Sequence, residues 1–468
     1  MSDIIELTAN ELVERYRRRD LSPVEVTEAA LARIDACNGA VNAFCVIDKD
    51  SARATAKASE ARWAKGEPRG LIDGVPTTIK DIVLTKGWPT LRGSKTTDVD
   101  QAWDTDAPCT ARLREHGAVL LGKTTTPEFG WKGVTDSPAT GITRNPWNTD
   151  RTPGGSSGGA AAAAALGMGA LHVGTDGGGS VRIPAGFTGV FGHKPSFGRV
   201  PVWPGSSFGT LSHVGPLTRT VTDAALMLTV LSEPDARDWT ALPYEERDYR
   251  DGLEDGIAGL RIAFSPTLGY ADVDPEVEAL VRAAIAVMRD QGATVEEIDP
   301  GFEDPFETFR RHWFGAAGKL VGDMPPEKQA LLDPGLREVA ASGSAITFNE
   351  FLEAMEARNL LGETMSRFHE TYDLLLTPTL PIPAFKAGQE TPDPEKQPRW
   401  SVWTPFTFPF NLTQQPAASV PCGFTRDGMP AGLQIVGPKH ADMRVLRAAR
   451  AYESVCPFQM PDEPNVQH

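Results

Sequence analysis

Residues Arg151–Ala185 read RTPGGSSGGAAAAAALGMGALHVGTDGGGSVRIPA. This stretch holds two glycine-flanked serine sites, Gly154–Gly159 and Gly177–Ser180, with the six alanines Ala160–Ala165 between them. Glycine at this density costs backbone entropy, so it usually marks a forced backbone conformation or a close approach to another group. Each site carries a serine hydroxyl. We therefore predict a polar centre built at the ends of buried elements.

A flexible linker is the ordinary interpretation of a Gly/Ser-rich segment, but the tract between the two serine sites does not fit it. The tract is apolar and helix-forming over the alanines, and then β-prone over Ala170–Val173. The run Thr152–Thr175 contains no Asp, Glu, Lys or Arg and is long enough to raise the question of a membrane span. Because it is weakly hydrophobic and bracketed by Ser and Gly clusters, we predict a buried helix and strand instead.

Three other motifs compete for the same stretch. A phosphate-binding loop needs a lysine after its glycines, and none follows here. An S-x-x-K pair of the penicillin-binding type does not occur in the sequence. Gly154–Gly158 matches G-x-S-x-G, but the nucleophile elbow of α/β-hydrolases needs a strand directly before it. Residues Asn145–Pro153 form a turn-rich segment instead, which counts against that interpretation.

Several segments together resemble the amidase signature family. The resemblance rests on Gly154–Gly159, Gly174–Ser180, Val181–Ala185, the lysine segment Asp73–Asp81 and the C-terminal segment Asn411–Gly437. Their span covers most of the chain. The resemblance implies an α/β fold, an α/β/α sandwich around a large mixed, mainly parallel sheet.

The family hydrolyses amides with a Ser–cis-Ser–Lys triad. Matched residue by residue, the resemblance implies Ser180 as the nucleophile, Ser156 as the bridging serine and Lys80 as the base. A serine hydroxyl is a weak nucleophile and needs a neighbouring base. A lysine can serve if burial keeps it neutral. Lys80 follows the apolar strand predicted at Val75–Ile79, which makes its burial plausible.

Backbone amides just before the nucleophile form the oxyanion hole of the family, which implies Gly177, Gly178 and Gly179 here. One such donor can stabilise a transition state by ~3–4 kcal/mol. The family usually carries Thr or a bulkier residue where this chain has Gly177, a departure that leaves the amide donor in place. Three more residues are predicted to support the turn rather than to react: Ser157, Asp176 and Arg182.

Composition limits the classes of function. The 468 residues are 40% hydrophobic and 23% charged, which is typical of a globular protein. A net charge of −16 disfavours nucleic-acid and anionic-membrane partners. Five cysteines without C-x-x-C spacing, and a start without signal-peptide features, predict a cytoplasmic protein with reduced thiols. The histidines lack metal-ligand spacing, so we expect no metal. Hydrolysis through a serine acyl-enzyme needs no cofactor, so none is expected. His172 and His193 are predicted to be structural.

Helix signals open the chain, and a strand–helix alternation typical of an open α/β sheet follows from Leu71. Capping boxes predict two helices, Ala9–Arg19 and Pro23–Cys37. A third helix is predicted at Lys49–Lys65. We expect residues 1–65 to be an N-terminal helical layer of the same domain as residues 66–468. In that larger part, residues 71–220 would form the catalytic core and residues 221–468 the C-terminal half.

Aromatic residues in irregular segments are candidates for a substrate pocket. Phe191–Thr220 is predicted to be loop-rich, and such a loop in a compact protein is often functional. Trp400–Phe410 carries five aromatic residues between prolines. The predicted pocket residues are Trp203, Phe208, Trp313, Trp403 and Phe406.

These features predict an amidohydrolase that cleaves the C–N bond of a small apolar or aromatic carboxamide through a Ser180 acyl-enzyme. Two alternatives within the family stay open, the glutamine-hydrolysing A subunit of an aminoacyl-tRNA amidotransferase and a hydrolase of urea-like amides such as biuret. The first should carry an acidic residue a few positions before Asn411, where this chain has Thr404 among aromatics. A catalytically inactive binding protein is a further class, and the complete triad counts against it. The resemblance also suggests a homodimer.

Overall fold

The computed structural model describes residues 2–466. They include one 11-stranded sheet and a separate two-stranded ribbon. The strands, in chain order, are β1 (Phe44–Ile47), β2 (Pro76–Lys80), β3 (Val119–Thr124), β4 (Asp136–Ser137), β5 (Gly141–Ile142), β6 (Leu171–Asp176), β7 (Phe191–Lys194), β8 (His213–Thr218), β9 (Arg261–Phe264), β10 (Thr294–Glu297), β11 (Leu374–Pro378), β12 (Ala417–Phe424) and β13 (Pro430–Val436).

Helices flank this sheet. They are α1 (Ser2–Ile5), α2 (Ala9–Arg18), α3 (Pro23–Val41), α4 (Lys49–Lys65), α5 (Pro108–Glu115), α6 (Gly158–Ala165), α7 (Arg182–Thr188), α8 (Val221–Leu231), α9 (Pro275–Asp290), α10 (Phe306–Gly322), α11 (Pro326–Gln329), α12 (Pro334–Ser344), α13 (Phe348–Phe368), α14 (Pro409–Leu412) and α15 (Asp442–Val455).

The large sheet is mixed, as predicted, with the strand order β1-β3-β2-β6-β8-β7-β12-β13-β11-β9-β10. The expectation that it is mainly parallel is wrong. Within residues 2–466, four neighbouring pairs are parallel and six are antiparallel. The antiparallel pairs fill the middle of the sheet. One reason is the short turn between β12 and β13, because a short connection can only join antiparallel strands.

The N-terminal helices follow their sequence signals. Thr8 and Ser22 form capping boxes at the starts of α2 and α3, as predicted. The prediction ended α3 at Cys37, but the helix continues to Val41. It ends there because Asn42 adopts a left-handed conformation and donates its N–H to the Asn38 carbonyl at 2.8 Å. The division into residues 1–65 and 66–468 stays a prediction.

The alanine tract forms the buried helix α6, as predicted. Every residue of α6 is buried. Ala162 and Ala163 pack with apolar residues of α3, whereas Ala160, Ala161 and Ala164 pack toward α7 and β8. Small side chains on all faces allow this close packing. No helix within residues 2–466 is long and apolar enough to cross a membrane.

The segment Phe191–Thr220 is more regular than the sequence suggested. Strands β7 and β8 lie at its two ends, and only the connection between them is irregular. The sequence did not predict β8, because it contains Gly215 and Pro216 and these residue types are unusual inside a sheet. Gly215 is required there, because a Cβ would lie 2.1 Å from the His193 carbonyl oxygen.

Candidate active site

Two neighbouring parallel strands bring the lysine and the glycine-rich serine loop to one edge of the sheet. Strand β2 ends at Lys80, and it pairs in parallel with β6, with Ile79 opposite Val173. Strand β6 ends at Asp176, just before Gly177–Ser180. The carboxyl ends of parallel strands lie at the same sheet edge, which is where open α/β folds bind ligands.

The Lys80 amine is surrounded by hydroxyl groups. Nζ lies within hydrogen-bond distance of three hydroxyl oxygens, the Oγ of Ser156 at 2.6 Å, the Oγ of Ser157 at 2.9 Å and the Oγ1 of Thr175 at 2.8 Å. The Ser157 hydroxyl in turn donates to the Thr175 carbonyl at 3.1 Å. Because the Ser157 proton is committed to that carbonyl, Ser157 acts as an acceptor toward the amine.

The environment of Lys80 favours the neutral amine. Its side chain is fully buried, and no carboxylate of the described residues lies within ion-pair distance of Nζ. Burial lowers the pKa of Lys80 well below the ordinary lysine value, and the field of Asp176 opposes this only in part. A neutral lysine can accept a proton.

Ser156 and Ser180 open onto the same cavity. The peptide bond between Gly155 and Ser156 is cis. A Cβ on Gly155 would lie 2.5 Å from the Val134 carbonyl, so the loop can approach that backbone only with glycine. The two serine loops are joined directly, because the Ser157 N–H donates to the Ser180 carbonyl at 3.2 Å. The loops are thus held side by side at the cavity wall.

The three glycine amides before Ser180 are not equivalent. The Gly179 N–H donates to Oδ1 of Asp176 at 2.8 Å, so this amide is already occupied. Its prediction as an oxyanion donor does not fit this geometry, because one N–H cannot also point at a substrate oxygen. Among the described residues, the amides of Gly177 and Gly178 have no intramolecular acceptor. These two amides are available to a developing oxyanion.

Asp176 and Arg182 form the buried support of the loop. Burial raises the pKa of Asp176, but the Arg182 guanidinium outweighs this effect and holds it well below its usual range. Arg182 contacts both carboxylate oxygens, through Nε at 3.0 Å and Nη2 at 2.9 Å. Its remaining donors reach Asn411 at 2.6 Å and the Thr407 carbonyl at 2.9 Å. The network ties the loop to the C-terminal half of the chain.

Three of the five predicted pocket aromatics line the cavity that holds Ser180: Trp203, Phe208 and Trp313. Trp313 stacks on Phe208 with ring centroids 3.8 Å apart, and its indole N–H donates to the Trp131 carbonyl at 3.0 Å. A Cβ on Gly177 would lie 2.9 Å from the Trp313 ring. The absent side chain at Gly177 therefore makes room for this tryptophan.

The other two predicted pocket residues, Trp403 and Phe406, do not line that cavity. Trp403 is buried against Phe187, with centroids 5.7 Å apart, and donates its indole N–H to the Glu390 carbonyl at 3.0 Å. Phe406 belongs to a buried cluster with Phe410. Their segment also contacts the Asp176–Arg182 network through the Thr407 carbonyl. Because both side chains are buried away from the cavity, the aromatic density of this segment reflects core packing.

Sequence reasoning missed several residues of the site. Thr175 lies inside the recognised Gly174–Ser180 segment, and its place next to Asp176 could have suggested it. Asn411 donates to Oδ1 of Asp176 at 2.8 Å, a contact across 235 positions that no local pattern predicts. His213 also lines the cavity, and burial lowers its pKa well below the usual value, so it is neutral.

Neither a metal nor a cofactor was expected, and those expectations stay predictions. In the part of the chain from residue 2 to residue 466, no three His, Cys, Asp or Glu side chains are grouped so that they could hold a metal ion. The five cysteines are unpaired.

Comparison with known proteins assigns the class. The profile of the family described as Amidase matches residues 25–446. An acylamidase from Rhodococcus erythropolis is 37% identical over 460 residues, which cover 97% of this chain and 96% of that protein. The chain therefore belongs to the amidase signature family and is an amidohydrolase of that family.

Other relatives differ in their reactions. The A subunit of a glutamyl-tRNA(Gln) amidotransferase from Myxococcus xanthus (strain DK1622) is also 37% identical, over 476 residues that cover 96% of this chain and 97% of that protein. A solved bacterial aryl acylamidase of the amidase signature enzymes has a TM-score of 0.89 at 33% identity and covers 96% of both chains. A 6-aminohexanoate cyclic dimer hydrolase has a TM-score of 0.89 at 29% identity, with 98% of this chain and 100% of that chain covered. These matches settle the family.

Proposed function

We propose that this chain hydrolyses small apolar or aromatic carboxamides through an acyl-enzyme on Ser180. In this proposal Lys80 is the base and Ser156 carries the proton between them. The observation that carries it is the fully buried Lys80 amine, which contacts three hydroxyls and lacks an ion-paired carboxylate. One of those hydroxyls, Ser156, shares its cavity with Ser180.

In this proposal, acylation uses the three groups in turn. The Ser180 oxygen attacks the amide carbon, its proton passes to the Ser156 oxygen, and the Ser156 proton passes to the neutral Lys80 amine. The substrate oxygen becomes an oxyanion, which the Gly177 and Gly178 amides can bind. Such preorganised donors stabilise the transition state because they need no reorganisation as charge develops.

The same relay runs backward to complete the reaction. Protonated Lys80 returns a proton through Ser156 to the leaving nitrogen, the C–N bond breaks, and the amine or ammonia departs. Water then attacks the acyl-enzyme, the relay takes its proton, and the carboxylic acid is released as Ser180 regains its hydroxyl. Ser157, Asp176 and Arg182 act as positioning residues in this scheme.

The cavity wall supports the assignment of an apolar or aromatic substrate. Trp203, Phe208 and Trp313 offer flat apolar surface beside Ser180, and such surface suits an aryl or alkyl group. Two relatives described as acylamidases support the same assignment. The aromatic wall also counts against small polar urea-like substrates. A cytoplasmic location and a homodimeric state belong to this proposal as well.

A glutamine-hydrolysing component of an amidotransferase is the second candidate, because a relative of that description is equally identical to the chain. Glutamine carries an ammonium group that needs an acidic partner. Among the described residues that line the cavity there is no Asp or Glu. This favours the independent amidase.

The test is turnover of an amide panel by the purified chain, with both the acid and the amine or ammonia quantified. The panel contains anilides, aliphatic and aromatic primary amides, biuret and glutamine. Hydrolysis of anilides that is lost in Ser180→Ala supports the proposal. Hydrolysis of glutamine alone, or of nothing until a partner protein is added, would overturn it in favour of the second candidate.

A further inference from the structure

Arg92 brings a positive charge to the cavity that holds Ser180. Its side chain lines the cavity together with Ser156 and Ser180. Among the described residues, no acceptor lies within hydrogen-bond or ion-pair distance of its guanidinium. Arg182, the other arginine beside this site, has every arm of its guanidinium engaged. Arg92 is thus charged, half-buried and without a direct partner.

The backbone around Arg92 is held firmly in place. Arg92 adopts a left-handed conformation with φ of 58°, and its carbonyl accepts the Phe129 N–H at 2.7 Å. The flanking amides of Leu91 and Gly93 donate to the Asp81 carboxylate at 3.2 and 3.3 Å. Asp81 directly follows the proposed base, so this turn is anchored to the catalytic strand. The side chain of Arg92 is presented to the cavity by a built turn.

Asp81 does not neutralise Arg92. Its carboxylate is engaged by the two amides and by Lys123, whose Nζ lies 3.2 Å away. Burial lowers the pKa of Arg92, and the field of Asp81 opposes this only in part. Arginine nevertheless keeps its charge in proteins. A half-buried guanidinium without a direct partner has its donors free for an anion that enters the cavity.

The rest of the cavity offers Arg92 no counter-charge. The described lining residues are apolar or aromatic side chains, glycines, serine and threonine hydroxyls, Cys109 and the neutral His213. A guanidinium in this setting presents a planar fork of donors that matches a carboxylate. The cavity therefore combines an apolar wall with one fixed positive charge.

We propose that Arg92 is a substrate-binding residue that receives a carboxylate of the substrate. The preferred substrates are then amides that carry an anionic group on an apolar or aromatic body. This inference rests on the proposed function, because it describes the molecule that Ser180 would attack.

The kinetic test compares two isosteric pairs of amides. In one pair, 4-acetamidobenzoate and neutral 4-nitroacetanilide, the carboxylate lies on the leaving amine. In the other, succinanilate and neutral levulinanilide, it lies on the acyl group. For each enzyme variant, the ratio of kcat/KM for the anionic member to kcat/KM for the neutral member is measured. This ratio removes effects of a variant that are common to both substrates.

Arg92→Gln should lower that ratio by about 10- to 100-fold in at least one pair, through KM, because a hydrogen-bonded charge pair is lost. Arg92→Lys should restore part of the loss. Arg18→Gln, an exposed arginine on α2, is the matched control and should leave the ratio unchanged. The pair that responds tells whether the carboxylate belongs to the amine or to the acyl half. An unchanged ratio in both pairs would overturn the proposal.

A binding measurement separates this inference from the proposed function. In the Ser180→Ala background, calorimetric titration with 4-acetamidobenzoate and with succinanilate should show at least one affinity that falls about 10-fold or more on adding Arg92→Gln. Equal affinities with and without Arg92 would overturn the inference, whatever the wild type hydrolyses. Arg92-dependent binding without turnover of any panel amide would instead contradict the proposed function and leave the anion site standing.

Discussion

Two buried lysines, Lys80 and Lys132, have pKa values shifted in opposite directions, so burial alone does not decide how a lysine titrates. The Nζ of Lys132 lies 2.6 Å from Asp136 and 2.9 Å from Asp333. Burial lowers the pKa of Lys132, but these two carboxylates outweigh burial and raise it. Lys80 contacts hydroxyls instead, and its pKa falls well below the ordinary value. The partner decides which way a buried lysine titrates.

The two lysines also connect different parts of the molecule. Lys132 joins the segment after β3 to Asp333, which caps α12 by accepting the Gly335 N–H at 2.8 Å. This contact stabilises the fold. Lys80 joins the serine loop to the end of β2, where its amine can exchange protons with Ser156.

Lys194 shows that a lowered pKa is not sufficient either. It is fully buried, and burial lowers its pKa well below the usual value. Its Nζ donates to the carbonyls of Pro195, at 3.3 Å, and Gln415, and lies 3.4 Å from Nε2 of His213. Carbonyl oxygens have no proton to give, and Lys194 does not line the cavity that holds Ser180. A base needs both a lowered pKa and a hydroxyl that opens toward the substrate.

Replacing Lys80 should have the largest effect on catalysis. Lys80→Met is expected to lower kcat/KM for anilides by about 10⁴-fold or more, since a triad acts as a unit. The fold should persist, because the substitution removes a buried amine and leaves no carboxylate unpaired. Circular dichroism and urea unfolding check the fold. A loss of activity smaller than about tenfold would show that Lys80 is not the base.

Replacing Lys132 should have the opposite pattern. Lys132→Met leaves Asp136 and Asp333 without their cation, so the free energy of unfolding should drop by about 3–5 kcal/mol. The kcat/KM of the folded protein should change by less than about tenfold, because Lys132 takes no part in proton transfer. Urea unfolding and anilide turnover measured on the same preparation test both parts. Unchanged stability would remove the structural half of the comparison.

Placing a carboxylate beside Lys80 should make it resemble Lys132. Thr175→Asp puts an acid where a hydroxyl now lies 2.8 Å from Nζ, which should raise the pKa of Lys80 by about 1–3 units. Activity at neutral pH should then fall by about 10- to 1000-fold and partly return at higher pH. Thr175→Asn is the matched neutral control. If both variants gave the same pH profile, charge would not control Lys80.

Replacing Lys194 should have the smallest effect on catalysis. Lys194→Met leaves two buried carbonyls without a donor, so we expect a loss of about 1–3 kcal/mol in the free energy of unfolding. The apparent pKa of the kcat/KM profile should shift by less than about 0.5 units. A larger shift would mean that the titrating base includes Lys194.

Local sequence signals predicted local structure well. The helix starts predicted from the capping residues Thr8 and Ser22 are confirmed. The alanine tract forms the buried helix α6, as predicted. These features depend on neighbours in the chain, so a short window contains the information. The sequence also named Lys80, Ser156 and Ser180, which the fold brings to one site, although their catalytic roles stay a proposal.

Contacts between distant segments account for what the sequence did not reveal. The three buried lysines Lys80, Lys132 and Lys194 differ in the groups that contact the amine. The contact of Lys132 with Asp333 joins residues 201 positions apart in the chain. The engagement of the Gly179 amide depends on the orientation of a single peptide, and Trp403 was misassigned because aromatic density marks core and pocket alike. Arg92 went unnoticed, since no pattern shows that an arginine lacks a partner.

The central claim is that a neutral, buried Lys80 drives acylation of Ser180. The most direct measurement is the pre-steady-state acylation rate of the wild type with a chromogenic anilide between about pH 5 and pH 11. Because Lys80 must be unprotonated to act, the rate should rise with pH and reach a plateau, with an apparent pKa well below the ordinary lysine value of about 10.4. A rate that does not change with pH, or one that rises only near the ordinary lysine value, would contradict the account.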